Sequence, residues 1–223
     1  MAKINQDMLT AQDMKSPQII QRYIAKYREL KGPNAKRNTA QAHEWFMQRI
    51  SKDTNLKAEN VYKQMKGGKT RNPMDKGLIG RLFLFNYDAK MKDELPVWDS
   101  WPMTFFFSAH VGNGVNNGEK GVVYLHGINV HYLPPKLRLL LFTNLIKLKN
   151  DSTLREKTRL KLSWNAIKQI AGSRVAEHCV KTYRADHIRS ELSEIMPQDW
   201  IIAISMQLAR WNNGTKRTAW QFK

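Results

Sequence analysis

The sequence predicts an α+β fold: a helical N-terminal arm, a small bent antiparallel sheet or SH3-like partial barrel, and helices packed on it toward the C-terminus. Three observations lead there. Apolar residues recur at helical spacing before residue 65 and again after Pro134. Between those stretches lie three short apolar runs, 79–87, 103–109 and 121–132, rich in aromatic residues and too short for long helices. Turn-forming residues crowd the loop 112–121, which joins the second run to the third as a hairpin would.

The first fifteen residues are polar with scattered methionines and are expected to be loose. Ser16 followed by Pro17 reads as an N-cap with proline at the first helical position, and Ile20, Tyr23, Ile24 and Tyr27 then share a face. The stretch Lys31-Gly32-Pro33-Asn34 ends that helix. Thr39 can cap a second one with Ala42, Trp45, Phe46 and Ile50 on one side, and residues 56–65 suit a third. The run 79–87 (IGRLFLFNY) is apolar on both alternating faces, so a strand buried on both sides is expected. Gly127 interrupts the third run and marks a bulge or a sharp bend.

After Pro134-Pro135 the pattern turns helical, with Leu137, Leu140, Leu141, Leu145 and Leu148, and Leu160, Trp164, Ile167 and Ala171 repeat it. A further helix is expected after Ser173, with Val175, Cys179 and Tyr183 on one face. Residues 191–196 and 200–206 read as two short strands around Pro197, although the periodicity of 200–211 fits a helix equally well. The chain therefore divides into a helical arm (1–65), a basic glycine-rich linker (66–78) and an α+β main domain with a basic tail (79–223). No internal repeat is visible.

Among 223 residues, 37 Lys and Arg face 19 Asp and Glu, a formal charge of +18, and 42% of residues are hydrophobic. Such a chain can bury a core, but its charge repels itself unless a polyanion neutralises it. A membrane is not the expected partner: no apolar run approaches the ~18 residues of a spanning helix, and neither a signal-peptide pattern nor a lipidation motif is present. The single cysteine, Cys179, excludes an internal disulfide and any multi-cysteine metal site and fits synthesis in a reducing cytoplasm.

Several features imitate catalytic or metal chemistry. The loop 112–121 (GNGVNNGEKG) lacks the lysine and hydroxyl that a phosphate loop carries directly after its glycine, so a hairpin loop is the better reading. His126 and His131 lie five apart in a strand and point to opposite faces, which prevents a shared metal. His178 and His187 have no second thiolate or carboxylate at ligand spacing, and Cys179 reads as core packing. Asp88, Asp93, Glu94 and Asp99 fall at a strand end and in a Pro-bounded loop, where they serve turns rather than Mg²⁺. Neither a cofactor nor a catalytic residue is expected. Trp98, Trp101 and 105–107 suit base stacking in principle and a core more often.

One combination of segments carries a resemblance. Gly80-Arg81-Leu82-Phe83-Leu84-Phe85-Asn86-Tyr87-Asp88-Ala89-Lys90, then Leu95-Pro96-Val97-Trp98-Asp99-Ser100-Trp101-Pro102, then Gly127-Ile128-Asn129-Val130-His131-Tyr132-Leu133-Pro134-Pro135-Lys136-Leu137-Arg138 occur in that order, preceded by Ala42-His43-Glu44-Trp45-Phe46. Together they resemble the DNA end protector proteins of large contractile-tailed bacteriophages. The resemblance covers about residues 40–140, extends loosely to the Trp200 region, and is specific as an ordered set rather than piece by piece. It implies a non-enzymatic head-completion protein of the virion that sits on the ends of double-stranded DNA and shields them from host exonuclease, beside other phage head, neck or tail proteins. The alternative is a structural neck, tail or baseplate protein that docks on acidic protein partners. Oligomerisation in the virion is open.

The cations expected to meet phosphates cluster in three places. Lys63, Lys66, Lys69, Arg71, Lys76 and Arg81 lie in and around the linker, and Lys136 and Arg138 follow the third apolar run. Arg210, Lys216, Arg217 and Lys223 belong to a stretch with no acid after Asp199. Flexible basic segments of this kind track a phosphate backbone without reading bases.

Overall fold

The computed structural model describes residues 6–65, 70–115, 118–149, 153, 155, 158, 161, 165, 169 and 173–220. In chain order the helices are α1 (Gln18–Lys31), α2 (Ala40–Ile50), α3 (Ala58–Met65), α4 (Pro135–Lys149), α5 (Ser173–His178), α6 (Trp200–Ser205) and α7 (Lys216–Ala219). The strands are β1 (Thr70–Arg71), β2 (Leu82–Leu84), β3 (Trp98–Asp99), β4 (Met103–Val111), β5 (Val123–Asn129), β6 (Val180–Arg184), β7 (Leu192–Ile195) and β8 (Trp211–Asn212). The class is α+β.

Six strands form one antiparallel sheet in the order β1-β7-β2-β4-β5-β6, and β3 pairs with β8 apart from it. The six-stranded sheet is open among the described residues: β1 and β6 are its edges, and no barrel closes. The hairpin read from 103–109 and 121–132 is present as β4 and β5, with an extra residue at Phe107 where the register shifts between Phe106 and Ser108. Gly127 faces Phe106 across that irregularity, and a Cβ there would fall 2.3 Å from Thr104 Cγ2. The bulge thus sits on β4, while the glycine on β5 permits the close approach.

Both faces of the sheet are covered, as the doubly apolar β2 requires. Leu82, Leu84, Phe105, Ile128 and Ile195 join the larger core with Ile20, Ile24, Phe46, Ile50, Val61, Leu141, Phe142, Ile201 and Ile204 of the helices. Phe83, Phe85, Phe106, Leu125, Tyr183 and Leu192 form a second cluster. Burial of each such side chain contributes about 1.5–3 kcal/mol, so α1, α2 and α3 are held to the sheet and to α6 by a shared core. A buried ion network adds to this: Arg28 lies 2.5 Å from Asp13, and Arg37 reaches Asp13 and Asp199 at 3.2 Å each.

Local capping follows the sequence in part. Thr39 Oγ1 accepts from the Ala42 amide at 3.2 Å, which starts α2. Ser16, expected to cap α1, instead donates to Asp199 at 2.7 Å, and Pro17 stands at the cap position. Gly32 ends α1 with φ 98°, a conformation that suits glycine. Of the stretch 66–78, residues 66–69 lie outside the described residues, Thr70 and Arg71 pair with β7, and Leu78 is buried.

In the C-terminal half one expectation is corrected and one open alternative is decided. The helix after Ser173 ends at His178, and the next residues form strand β6 against β5, because Val180–Arg184 complete the edge of the sheet. Around Pro197, 192–195 is a strand as expected, whereas 200–205 is a helix that buries all six of its residues. The helical pattern read at 160–171 lies outside the described residues except for 161, 165 and 169.

Candidate nucleic-acid interface

The expected phosphate contacts fall into distinct environments. Lys63, Lys76, Lys136 and Arg217 are exposed. Lys66, Lys69 and Lys223 lie outside the described residues. Arg71 and Arg81 converge on the buried Glu194 carboxylate of β7, at 3.6 and 2.7 Å, so one acid offsets part of their charge. Arg210 is held by Glu59 at 2.7 Å. Lys216 stands over the Trp220 ring, 4.5 Å from its centroid, behind an N-cap in which Thr215 accepts from the Thr218 amide.

Arg138 departs from the expectation. Only 1% of it is exposed, and its guanidinium donates to three backbone carbonyls: Leu133 at 2.7 Å, Ile204 at 3.2 Å and His131 at 3.1 Å. A side chain enclosed in this way joins α4 to α6 and to the turn before α4; it does not present charge to a phosphate. Burial works against its charge and the nearby Asp99 carboxylate works for it.

Asp99 organises the polar interior. Its carboxylate accepts from the amides of Trp101 (3.0 Å) and Arg210 (2.9 Å), from Asn129 Nδ2 (3.3 Å) and from His131 Nδ1 (2.7 Å). The turn-capping reading of this acid is right but incomplete, since it also ties β3 to β8. The Asp99–His131 pair has the geometry of an acid–base dyad without its access. His131 is fully buried, burial pushes its pKa down while Asp99 opposes and Arg138 assists, and its Nε2 has no hydrogen-bond partner. No reacting group can meet that nitrogen, so the pair is structural. Among the described residues no group of three or more His, Cys, Asp and Glu could hold a metal ion. Cys179 is buried, and burial pushes its thiol up to about 12.

Sequence reading missed a second basic surface. A cavity of about 560 Å³ opens between the segment after β2, the loop before β3, the β4–β5 hairpin and edge strand β6. Its walls include Tyr87, Trp98, Tyr124, Tyr132 and Tyr183, with Lys90, Lys181 and Arg184 among its cations. Lys181 Nζ lies 4.2 Å from the Tyr132 ring centroid. Arg184 donates to both Glu119 oxygens, at 2.7 and 3.0 Å, and Lys90 pairs with the same carboxylate, which holds Glu119 down to about 2. Strand alternation over 180–184 is the signal that could have placed Lys181 beside Tyr183; a helical reading of that stretch concealed it.

Fold and surface together define a basic α+β protein whose outward chemistry suits a polyanion. Residues 2–221 match the family described as phage T4 terminal DNA protecting protein, and the chain belongs to that family. No curated protein sequence and no solved structure matches it. The family is named for protection of DNA ends and not for a catalytic step, and among the described residues no helix is long and apolar enough to cross a membrane.

Proposed function

We propose that this protein binds the ends of linear double-stranded genome DNA without reading base sequence and shields them from exonuclease, as a head-completion component of a phage virion. The family match over residues 2–221 carries this reading, and the charge of +18 supports it physically. Synthesis takes place in the host cytoplasm, and assembly brings the protein beside other head, neck or tail proteins. Lys63, Lys76, Lys136, Lys216 and Arg217 are exposed cations suited to phosphate contacts, joined by Lys66, Lys69 and Lys223 on sequence grounds. Arg71, Arg81 and Arg210 contribute less, because carboxylates already engage them. Competition between a linear duplex and a closed circle of equal mass, read beside the rate at which an added exonuclease digests the linear form, tests the reading. Preference for the linear form with slowed digestion supports it. Equal competition with no protection would favour a neck, tail or baseplate protein that docks on acidic partners.

A further inference from the structure

Phosphate contacts alone do not distinguish an end from the interior of a duplex, since the charge per unit length is nearly the same at both. End recognition needs a place that only a strand terminus can enter. We propose that the cavity between β6 and the loop before β3 receives the terminal nucleotide of one DNA strand, with its base against the aromatic wall and its phosphate at Lys181. This deepens the DNA-end reading and rests on it.

The cavity has the chemistry of a nucleotide. Its volume of about 560 Å³ lies within the range of roughly 300–1,000 Å³ usual for small-molecule sites. The rings of Tyr132 and Tyr183 are 2% and 4% exposed and form a closed floor, the half-buried Trp98 and Tyr124 are the aromatic walls a base can touch, and Met91, Leu95 and Val180 make an apolar mouth at 55%, 37% and 37% exposure. An unpaired base can stack on such walls whatever its identity, which suits a protein blind to sequence. Lys181 lies over Tyr132, and no carboxylate pairs with it among the described residues, whereas Arg184 and Lys90 on the same rim are occupied by Glu119. Glu119 also shows that one anion can be bridged by two rim cations. An internal base pair cannot bring a base between Trp98 and Tyr124 unless a nucleotide is flipped out of the stack, at a cost of about a few kcal/mol. A terminal nucleotide frays or overhangs and costs less.

The test uses the full chain and linear duplexes that carry 5-iododeoxyuridine either at the terminal or at a central position. On irradiation the terminal probe should crosslink to the segments holding Trp98, Tyr124 or Tyr132, and the central probe should not. Lys181→Gln and Met91→Glu should each reduce the preference for a linear duplex over a closed circle to about one-fold, and leave affinity for the circle nearly unchanged. Thermal melting reports whether each variant is folded. Met91 is exposed, so its variant decides the matter if Lys181→Gln does not fold. Wild-type end preference that both folded variants retain, with crosslinks mapping elsewhere, overturns the pocket and leaves the DNA-end reading standing. A wild-type protein with no end preference removes both.

Discussion

His131 donates its Nδ1 proton to Asp99 across 2.7 Å, and the two side chains are sealed from solvent. The backbone carbonyl of His131 accepts from both Arg138 Nη2 and Trp220 Nε1, at 3.1 and 2.8 Å. One residue thereby links β3, α4 and the end of α7. Removal of the carboxylate takes the countercharge from buried Arg138 and the charged acceptor from four donors, so Asp99→Asn should destabilise the protein by about 3–5 kcal/mol. Urea unfolding checks this, and a loss below about 1 kcal/mol would show that the network is dispensable.

The same burial predicts a pH dependence. His131 has a depressed pKa in the folded state, so the unfolded chain binds the proton more readily once pH falls below about 6.5. Stability is complete above that value and is lost as pH falls through the window below it. His43, His126 and His178 are also pushed down by burial and act in the same direction. Unfolding free energy measured from neutral to mildly acidic pH should therefore decline, and His131→Asn should reduce the slope without abolishing it.

Lys136 and Arg138 lie two residues apart and should behave oppositely. Arg138→Met removes the guanidinium donor from the Leu133 and Ile204 carbonyls and leaves the His131 carbonyl to Trp220 alone, so a loss of about 3 kcal/mol is expected. DNA affinity per folded molecule should not change. Lys136→Ala should stay within about 0.5 kcal/mol of wild-type stability and weaken all DNA sequences alike. A folded Arg138 variant with selectively weakened DNA binding would restore that residue to the interface.

How much of this was legible depends on where the deciding interaction lies. The β4–β5 hairpin shows itself locally, through two apolar runs and a glycine-rich loop. Strand β6 does not: Val175, Cys179 and Tyr183 satisfy a helical period, and only pairing with β5, distant in sequence, makes 180–184 extended. The cavity and Lys181 depend on that pairing and are not visible in local periodicity. Arg138 departs from the rule that arginine seeks water because the carbonyls of Leu133, Ile204 and His131 accept from its guanidinium in the interior, an arrangement completed by chain distant in sequence, although its place among Leu137, Leu139 and Leu140 is compatible with enclosure.

Gly127 makes a local prediction. A methyl group at this position meets Thr104 Cγ2 at 2.3 Å and the Phe105 carbonyl oxygen at 2.9 Å, and neither backbone nor a β-branched neighbour yields easily. Gly127→Ala should cost about 1–3 kcal/mol by overpacking. Pairing it with Thr104→Ser, which removes the clashing methyl, should recover part of the loss, and a double-mutant cycle measures the coupling.

The C-terminal cations test the electrostatic mechanism itself. Neutralising a phosphate releases condensed counterions, so the logarithm of affinity should fall linearly with the logarithm of salt, with a slope of about −0.9 for each phosphate engaged. Lys216 and Arg217 are exposed on a short helix, and Lys216 is positioned by Trp220. Changing both to Ala should make the slope shallower by about one unit for each lost contact and weaken every sequence alike. Glu194→Gln should act in the other direction: it releases Arg71 and Arg81 from their shared carboxylate, so the slope should steepen and affinity rise at low salt. Opposite changes in slope from the two variants, measured by fluorescence anisotropy on one duplex from about 50 to 200 mM salt, would be hard to produce by misfolding, which weakens binding in both. A slope that neither variant alters would mean that the charge serves acidic protein partners instead.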